Sequence, residues 1–221
     1  MSGKGFWGPP IWSLIHELSL SMNGSNSFFY KKFLGLLTRL LPCTKCKNNL
    51  NTKLISYPPD KYLTGPLQAF LYSYLLHDLA NKQISAEGGI PKISPPFEFV
   101  RDTYLNNMRA GPDFWGPSMW ATFYILAAVL TPENSIYFKE FVETVVELVP
   151  DELSKKILRR FLREYSIDPY LRNNHDAFFY IFTLHNNSGV GQIKENMNHP
   201  YIAIKSFYFS KLGEECKGCK V

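Results

Sequence analysis

The feature that most constrains the fold of this chain is an internal repeat. Residues 6–12, FWGPPIW, return as FWGPSMW at residues 114–120, an offset of 108 positions. The same offset, without a gap, pairs Leu41-Pro42 with Val149-Pro150 and Leu76-His77 with Leu184-His185. A fixed offset of this kind is typical of two tandem copies of one structural unit. We therefore expect one module at residues 1–108, a second at 109–212 and a short tail at 213–221.

The spacing of apolar residues within each copy predicts helices. Apolar residues recur three and four positions apart, as on one face of an α-helix, and no stretch alternates as a β-strand does. In the first copy the pattern predicts a helix with Pro10 in its first turn, then helices at 28–41, 43–55, 62–82 and 97–106. The second copy has corresponding segments near Pro117, Asn134, Asp151, His175 and Pro200. The predicted fold class is all-α: a four-helix bundle with a short fifth helix, twice over.

Composition allows a substantial core and excludes several classes of protein. Hydrophobic residues make up 45% of the 221 residues and aromatic residues 15%, enough for a packed core or for planes that stack on a flat cofactor. The net charge of +5 is too small to indicate nucleic-acid binding. The sequence has no apolar run long enough for a transmembrane helix and no apolar stretch typical of a signal peptide. We therefore expect no membrane segment and residence in the cytoplasm.

All four cysteines fall in two C-x-x-C pairs. Cys43 and Cys46 follow Pro42 at the start of a predicted helix, where unpaired N–H groups and the helix dipole favour the reactive thiolate. Lys45 adds positive charge between them. We interpret this pair as a redox-active dithiol, and the alternatives are half of a zinc site or two unrelated core thiols.

The second pair, Cys216 and Cys219, lies beyond the last predicted helix in the charged sequence EECKGCK. Gly218 and the flanking charges predict an exposed, mobile segment. A dithiol on such a segment can exchange with both a substrate and a buried disulfide. Two alternatives remain open: the two pairs together supply four thiolate ligands for zinc, or the tail has no function.

Two pairs of residues, each lying on one face of a predicted helix, complete the candidate site. Trp12 and His16 are four residues apart on one predicted helix, and His77 and Asn81 are four apart on another. Either pair alone is typical of core packing. Together with the dithiol, they would present planar and polar groups toward one bundle interior. Such a set suits a flat, hydrogen-bonding cofactor with a phosphate tail.

These residues resemble the Erv/ALR family of FAD-linked sulfhydryl oxidases. The family pattern combines W-x-x-x-H, a proline followed by C-x-x-C, and then H-N-x-V-N. The chain has Trp12 to His16, Pro42 to Cys46 and His77 to Asn81 in that order, and the resemblance covers residues 6–106. The chain departs from the family at four positions: Asp78 and Ala80 in the third motif, Leu41 where many members have Tyr, and Tyr104 where Trp is usual. The WGPxxW opening is similar to that of enzymes of large DNA viruses.

The resemblance implies an Erv-type bundle that binds FAD and oxidises thiols. Electrons would pass from a reduced substrate protein, or a thioredoxin-like intermediary, to Cys216 and Cys219. They would then pass to Cys43, to Cys46, to FAD and to O2, giving H2O2. The implied FAD contacts are Gly8, Trp12, His16, Cys46, His77, Asn81, Lys82, Lys92 and Tyr104. The resemblance also implies residence in the cytoplasm, the host's for a viral enzyme, or in the virion.

The second copy has apolar residues at the positions equivalent to those of the first copy, but it lacks the cysteines and one of the histidines. Cys43 and Cys46 fall on Asp151 and Ser154, and His16 falls on Tyr124. We expect this copy to pack on the first, to serve as a docking surface, or to replace the partner of a homodimer. The pair His185-Asn186 is interpreted as a relic. The rival hypothesis for the whole chain is a non-enzymatic helical interaction module, with or without zinc.

Overall fold

A computed structural model describes residues 3–88, 91–190 and 200–213. In these ranges the chain forms no strand, which confirms the all-α prediction. Of the helices described, none is both long and apolar enough to span a membrane. The α-helices are α1 Lys4–Leu20, α2 Ser27–Leu40, α3 Thr44–Ser56, α4 Pro66–Ala86, α5 Phe97–Asn107, α6 Pro112–Ala128, α7 Ser135–Leu148, α8 Glu152–Glu164, α9 Asn174–Ser188 and α10 Tyr201–Gly213.

The helix bounds recur at the offset found in the sequence. Helices α6, α7 and α8 begin and end 108 residues after α1, α2 and α3, and α9 begins 108 residues after α4. The fourth helices differ in length, because α9 ends at Ser188 and has Gly189 as its C-cap residue. With φ of 66°, Gly189 adopts the left-handed conformation that commonly terminates a helix. Helices α2, α3 and α5 lie within one residue of their predicted bounds.

Two helices begin where the sequence does not predict. Helix α1 starts at Lys4, so Pro9 and Pro10 lie inside it. Gly3 makes the preceding turn with φ of 61°, and its carbonyl accepts a hydrogen bond of 2.9 Å from the Trp7 N–H. The prediction that Pro10 lies in the first turn is therefore wrong, since the glycine starts the helix. Helix α4 starts four residues later than predicted, because Pro59–Tyr62 form a 3-10 turn.

The two halves of the chain, residues 3–108 and 109–213, pack through equivalent helices and share one hydrophobic core. Helix α1 packs on α6, and α2 packs on α7. Phe33 meets its own equivalent, Phe141, with ring centroids 5.5 Å apart. Lys32 likewise forms a salt bridge of 3.0 Å with its equivalent, Glu140. Such self-pairing of equivalent positions is what an approximate two-fold axis between the halves produces.

Helix α10 packs against the first residues of α1, near the N-terminus of the chain. Phe207 and Tyr208 pack edge-on against Phe6, with ring centroids 5.5 and 5.7 Å away. At the end of α10, the Lys211 carbonyl accepts a hydrogen bond of 3.3 Å from the Gly3 N–H. The last described residues therefore lie beside the N-terminus of α1.

A carboxyl group is buried where α1 meets α6. Glu17 is 2% exposed, and the Ser118 hydroxyl donates a hydrogen bond to it. Burial raises the pKa of Glu17 to about 8, although the bond from Ser118 opposes that shift. The folded protein therefore holds this carboxyl protonated at neutral pH. The equivalent position in the second half is Ile125, so this group occurs on one side of the interface only.

The titration of Glu17 predicts how stability depends on pH. Folding raises the pKa of Glu17, so the carboxyl group contributes its full stabilisation below the pKa that it has in the unfolded chain. This stabilisation is lost as the pH rises to about 8. The loss is about 1.4 kcal/mol for each pH unit in that range. Glu17→Gln cannot ionise, so we expect its unfolding free energy to fall less than that of the wild type between pH 6.5 and 8.

Denaturant unfolding at several pH values measures this difference. Glu143→Gln, at an exposed position of α7, is the matched control and should behave as the wild type. If the unfolding free energies of Glu17→Gln and the wild type changed in parallel with pH, the raised pKa of Glu17 would be contradicted.

Candidate functional site

The first half contains a cavity of about 400 Å³. Its walls come from α1, α3 and α4, with Lys92 and Tyr104 closing one side. The volume lies in the range of pockets that hold small molecules and cofactors. Seven residues that the sequence predicts as cofactor contacts line it: Gly8, Trp12, Cys46, His77, Asn81, Lys92 and Tyr104.

A stacked pair of rings forms one wall of the cavity. Trp12 of α1 and His77 of α4 are parallel within 4°, with ring centroids 4.2 Å apart. His16, one turn after Trp12, lies behind them and is 2% exposed. Its Nε2 shares a hydrogen bond of 3.1 Å with His77 Nδ1, and its Nδ1 shares one of 2.7 Å with Ser73 Oγ. The helical spacing thus brings all three rings together, with His16 supporting the wall rather than lining it.

Both histidines of this wall are uncharged at neutral pH. Burial, and secondarily the neighbouring His77, lowers the pKa of His16 to about 3. Burial, followed by the charge of Lys92, lowers the pKa of His77 to about 4. Since neutral imidazoles have one donor and one acceptor nitrogen each, the wall is aromatic and hydrogen-bonding without carrying charge.

The first cysteine pair lies at the start of α3, as predicted. Cys43 is the N-cap residue, and its Sγ accepts a hydrogen bond of 3.3 Å from the Cys46 N–H. Cys46 is half-buried and lines the cavity, whereas Cys43 is only 3% exposed. The Cys43 sulfur is therefore shielded from an incoming thiol in this conformation, because the N-cap position turns its side chain toward the helix. Lys45 is paired with Glu87 at 2.8 Å.

Besides His16, one more predicted cofactor contact, Lys82, does not line the cavity. Lys82 is exposed, and its ammonium group pairs with Asp78 at 2.7 Å on the surface of α4. Lys82 is one residue after Asn81, and on a helix that step rotates a side chain by about 100°. Asn81 faces the cavity and donates a hydrogen bond of 3.1 Å to Ser94 Oγ, so its neighbour faces away.

Sequence reasoning missed two cationic residues of the cavity, Lys4 and Lys53. Lys53 Nζ donates a hydrogen bond of 2.5 Å to Gln83 Oε1, and burial lowers its pKa. Lys53 lies seven residues after Cys46, two helical turns along α3, so helical spacing could have placed both on one face. No spacing pattern could have placed Lys4 at the cavity, since the predicted first helix begins after this residue.

The second half keeps the framework of this site and lacks its thiols. Trp120 and His185 stack at 4.2 Å, and Tyr124, in the place of His16, has its hydroxyl 3.1 Å from His185 Nδ1. At the equivalent helix start, Asp151 accepts a hydrogen bond of 2.7 Å from the Ser154 N–H. Trp120 Nε1 donates to the carbonyl of buried Val190 at 2.7 Å. The Val190 carbonyl therefore lies at the edge of the Trp120 ring.

The described residues hold no group of three or more His, Cys, Asp and Glu side chains able to bind a metal. The zinc alternative also needs Cys216 and Cys219, which lie outside the described residues.

Comparisons of the chain with models of protein families, with curated proteins and with solved structures gave no significant match.

Tyr124 of the second half, which is equivalent to His16, suggests a substitution that tests the role of His16 in this wall. His16 is uncharged in the folded state, because burial lowers its pKa from the ordinary value of 6.5 to about 3. The unfolded chain therefore binds the proton first as the pH falls, and stability is lost from about pH 6.5 downward. His16→Tyr copies Tyr124 and removes this proton. We expect it to fold at pH 7 and to lose about 2 kcal/mol less stability than the wild type at pH 5.

Denaturant unfolding at pH 7 and pH 5 checks this expectation. His175→Gln, at an exposed position of α9, is the control and should lose as much stability on acidification as the wild type. An acid loss in His16→Tyr equal to that of the wild type would show that His16 does not carry the effect.

Proposed function

We propose that the cavity of the first half binds FAD and that the protein is a sulfhydryl oxidase similar to the Erv/ALR family. It would form disulfide bonds in substrate proteins and transfer the electrons to O2, giving H2O2. The observation that carries the proposal is that Cys46 lines the same cavity as the stacked rings of Trp12 and His77. A C-x-x-C thiol in the same cavity as an aromatic, uncharged wall suits dithiol oxidation on a flat cofactor.

The residues present fit FAD in three respects. The ring pair of Trp12 and His77 offers an aromatic surface and uncharged hydrogen-bonding nitrogens. Lys4, Lys53 and Lys92 bring positive charge to the cavity, which suits a pyrophosphate. Cys46 places a sulfur at the wall. When bound, FAD accepts two electrons from a thiolate and passes them to O2.

The chain's own residues divide the thiol chemistry between the two cysteines. In the disulfide form of Cys43–Cys46, an incoming thiolate attacks the Cys43 sulfur, and the S–S bond breaks to release Cys46 as a thiolate. A second thiol of the donor then displaces Cys43, so that the donor leaves as a disulfide. The Cys46 N–H, which donates a hydrogen bond to Cys43 Sγ, holds the departing Cys43 sulfur at the start of the helix. Since Cys43 is buried, the first attack requires a small outward movement at this helix start.

We further propose that the chain is a tandem pseudo-repeat of the Erv-type bundle and an intramolecular pseudo-dimer. The recurrence of helix bounds and the meeting of Phe33 with Phe141 support this. The second half then serves as a built-in partner that covers α1 and α2. With Asp151 and Ser154 in the place of the cysteines, it takes no part in the redox chemistry.

Substitution of Cys46 tests the function directly. Cys46→Ser keeps the fold but leaves Cys43 without a disulfide partner, so we expect O2 consumption with dithiothreitol to fall to background. The measurement uses an oxygen electrode and FAD-saturated protein. The double variant Cys216→Ser/Cys219→Ser is the matched control and should retain this activity, because a small dithiol needs no shuttle.

Wild-type turnover in Cys46→Ser would contradict the assignment. An absence of turnover in the wild type, after incubation with FAD, would favour the non-enzymatic helical interaction module.

A further inference from the structure

We propose that the thiol donor oxidised at Cys43 and Cys46 is acidic, with carboxylates beside its own reactive cysteines, because the lysines around this site attract negative charge. This inference rests on the proposed function, and it names the class of substrate that the site takes. The partner is a dithiol segment of a protein with a net negative charge around its thiols.

The first support is a group of lysines around the two cysteines. Lys4 and Lys53 line the cavity together with Cys46. Lys45 and Lys47 lie in the first turn of α3, so at 1.5 Å per residue they are roughly 3 and 6 Å from Cys43 along the helix axis. Both of these lysines interact electrostatically with Cys43. The thiols thus lie between cationic groups of the cavity and cationic groups of the helix start.

The carboxylate of Glu87 balances part of this charge. It forms a salt bridge of 2.8 Å with Lys45 and lies near Lys4 and Lys53. The hydrogen bond from Lys45, followed by the one from Gln83, lowers the pKa of Glu87, so this group is ionised at neutral pH. One carboxylate among four lysines leaves the surroundings of the thiols with a net positive charge.

The second support is the loss of this charge in the half that lacks the thiols. Three of the four lysines have uncharged residues at the equivalent positions, namely Pro112, Leu153 and Phe161. The fourth, Lys47, is equivalent to Lys155, whose ammonium group forms a salt bridge of 2.6 Å with Glu152. The framework of the repeat therefore does not require the lysines, and they accompany the cysteines.

The charge of the whole chain is distributed in the same sense. Residues 1–108 contain eleven Lys and Arg against six Asp and Glu, and residues 109–221 contain thirteen of each. The net charge of +5 thus belongs entirely to the half with the cavity. A field of this sign attracts an acidic donor from a distance and repels a basic one.

The third support is the position of the lysines on the approach to Cys43. Cys43 is 3% exposed, whereas Thr44 and Lys45, the next two residues, are exposed. A donor must therefore contact the start of α3 before its thiolate reaches the Cys43 sulfur. Electrostatic attraction at this stage raises the rate of association and orients the partner, and it weakens with added salt.

The exchange that follows is balanced. A donor thiolate attacks Cys43 of the Cys43–Cys46 disulfide, forming a mixed disulfide and releasing the Cys46 thiolate. The second donor thiolate then attacks the donor sulfur of the mixed disulfide and releases Cys43. The donor loses two electrons and two protons and becomes a disulfide, and the protein disulfide gains them. The protein disulfide is the oxidant, so no further reactant is needed.

Thiol exchange with synthetic peptides measures the charge preference without flavin or O2. The full chain with Cys216→Ser/Cys219→Ser is first oxidised with diamide, so that Cys43–Cys46 is the disulfide that reacts. Three peptides share a Cys-Gly-Gly-Cys core that is flanked on both sides by Glu, Gln or Lys. The rate of reduction is measured by alkylation with iodoacetamide and mass spectrometry of the intact chain. Each rate is divided by that of the same peptide with uncharged hydroxyethyl disulfide, which corrects for the intrinsic reactivity of the peptide.

We expect the acidic peptide to react about tenfold faster than the basic peptide at roughly 0.01 M salt, with the neutral peptide between them. The three corrected rates should converge at about 1 M salt, because the charges are then screened. Lys45→Met/Lys47→Met removes two charges and keeps the length of the side chains. It should lower the preference to about threefold, since Lys4 and Lys53 remain.

The matched control is Lys61→Met/Lys156→Met, which removes the same charge from exposed positions away from the cysteines and should keep the tenfold preference. Equal unfolding midpoints establish that all variants fold.

Three results would overturn the proposal. These are corrected rates at low salt that are equal or highest for the basic peptide, a preference that Lys45→Met/Lys47→Met leaves unchanged, or an equal decrease in the control. Failure of the proposed function is distinguishable, since it would appear as absent O2 consumption with dithiothreitol and FAD, whereas the peptide exchange needs neither FAD nor O2.

Discussion

The packing of α1 on α6 and of α2 on α7 is the contact on which the rest of the structure depends. It buries the aromatic faces of both halves in one core and sets Phe33 against its equivalent, Phe141. The last helix, α10, packs on α6 of its own half and on α1 of the other half. At the end of α10, the Lys211 carbonyl accepts a hydrogen bond of 3.3 Å from the Gly3 N–H. The packing of the two halves thus brings the end of α10 to the start of α1, whose residues line the cavity.

The two halves differ in chemistry far more than in framework. Each stacks a Trp on a His at 4.2 Å and starts its third helix with an acceptor at the N-cap. In the first half that acceptor is the sulfur of Cys43, and in the second it is the carboxylate of Asp151. A carboxylate caps a helix well but carries no redox chemistry. Retention of the cap without the thiol accords with a second half that contributes structure alone.

The sequence predicts the fold class and most of the cavity, because both depend on local periodicity. The spacing of Trp12 and His16 places these residues on one helix face, and the structure brings them to His77. Lys82 does not line the cavity, because its ammonium group pairs with Asp78 one turn earlier on the surface of α4. The contact of α10 with α1 had no local signal, since it joins residues about two hundred positions apart and depends on how the halves pack.

The most direct test of the account is the visible absorption spectrum of the purified protein, recorded in air before and after addition of dithiothreitol. The account predicts a yellow protein with a flavin spectrum that bleaches once the thiol has consumed the dissolved O2 and returns on admission of air. A protein that stays colourless after incubation with FAD would contradict the central claim, because the cavity beside Cys46 would then hold no flavin.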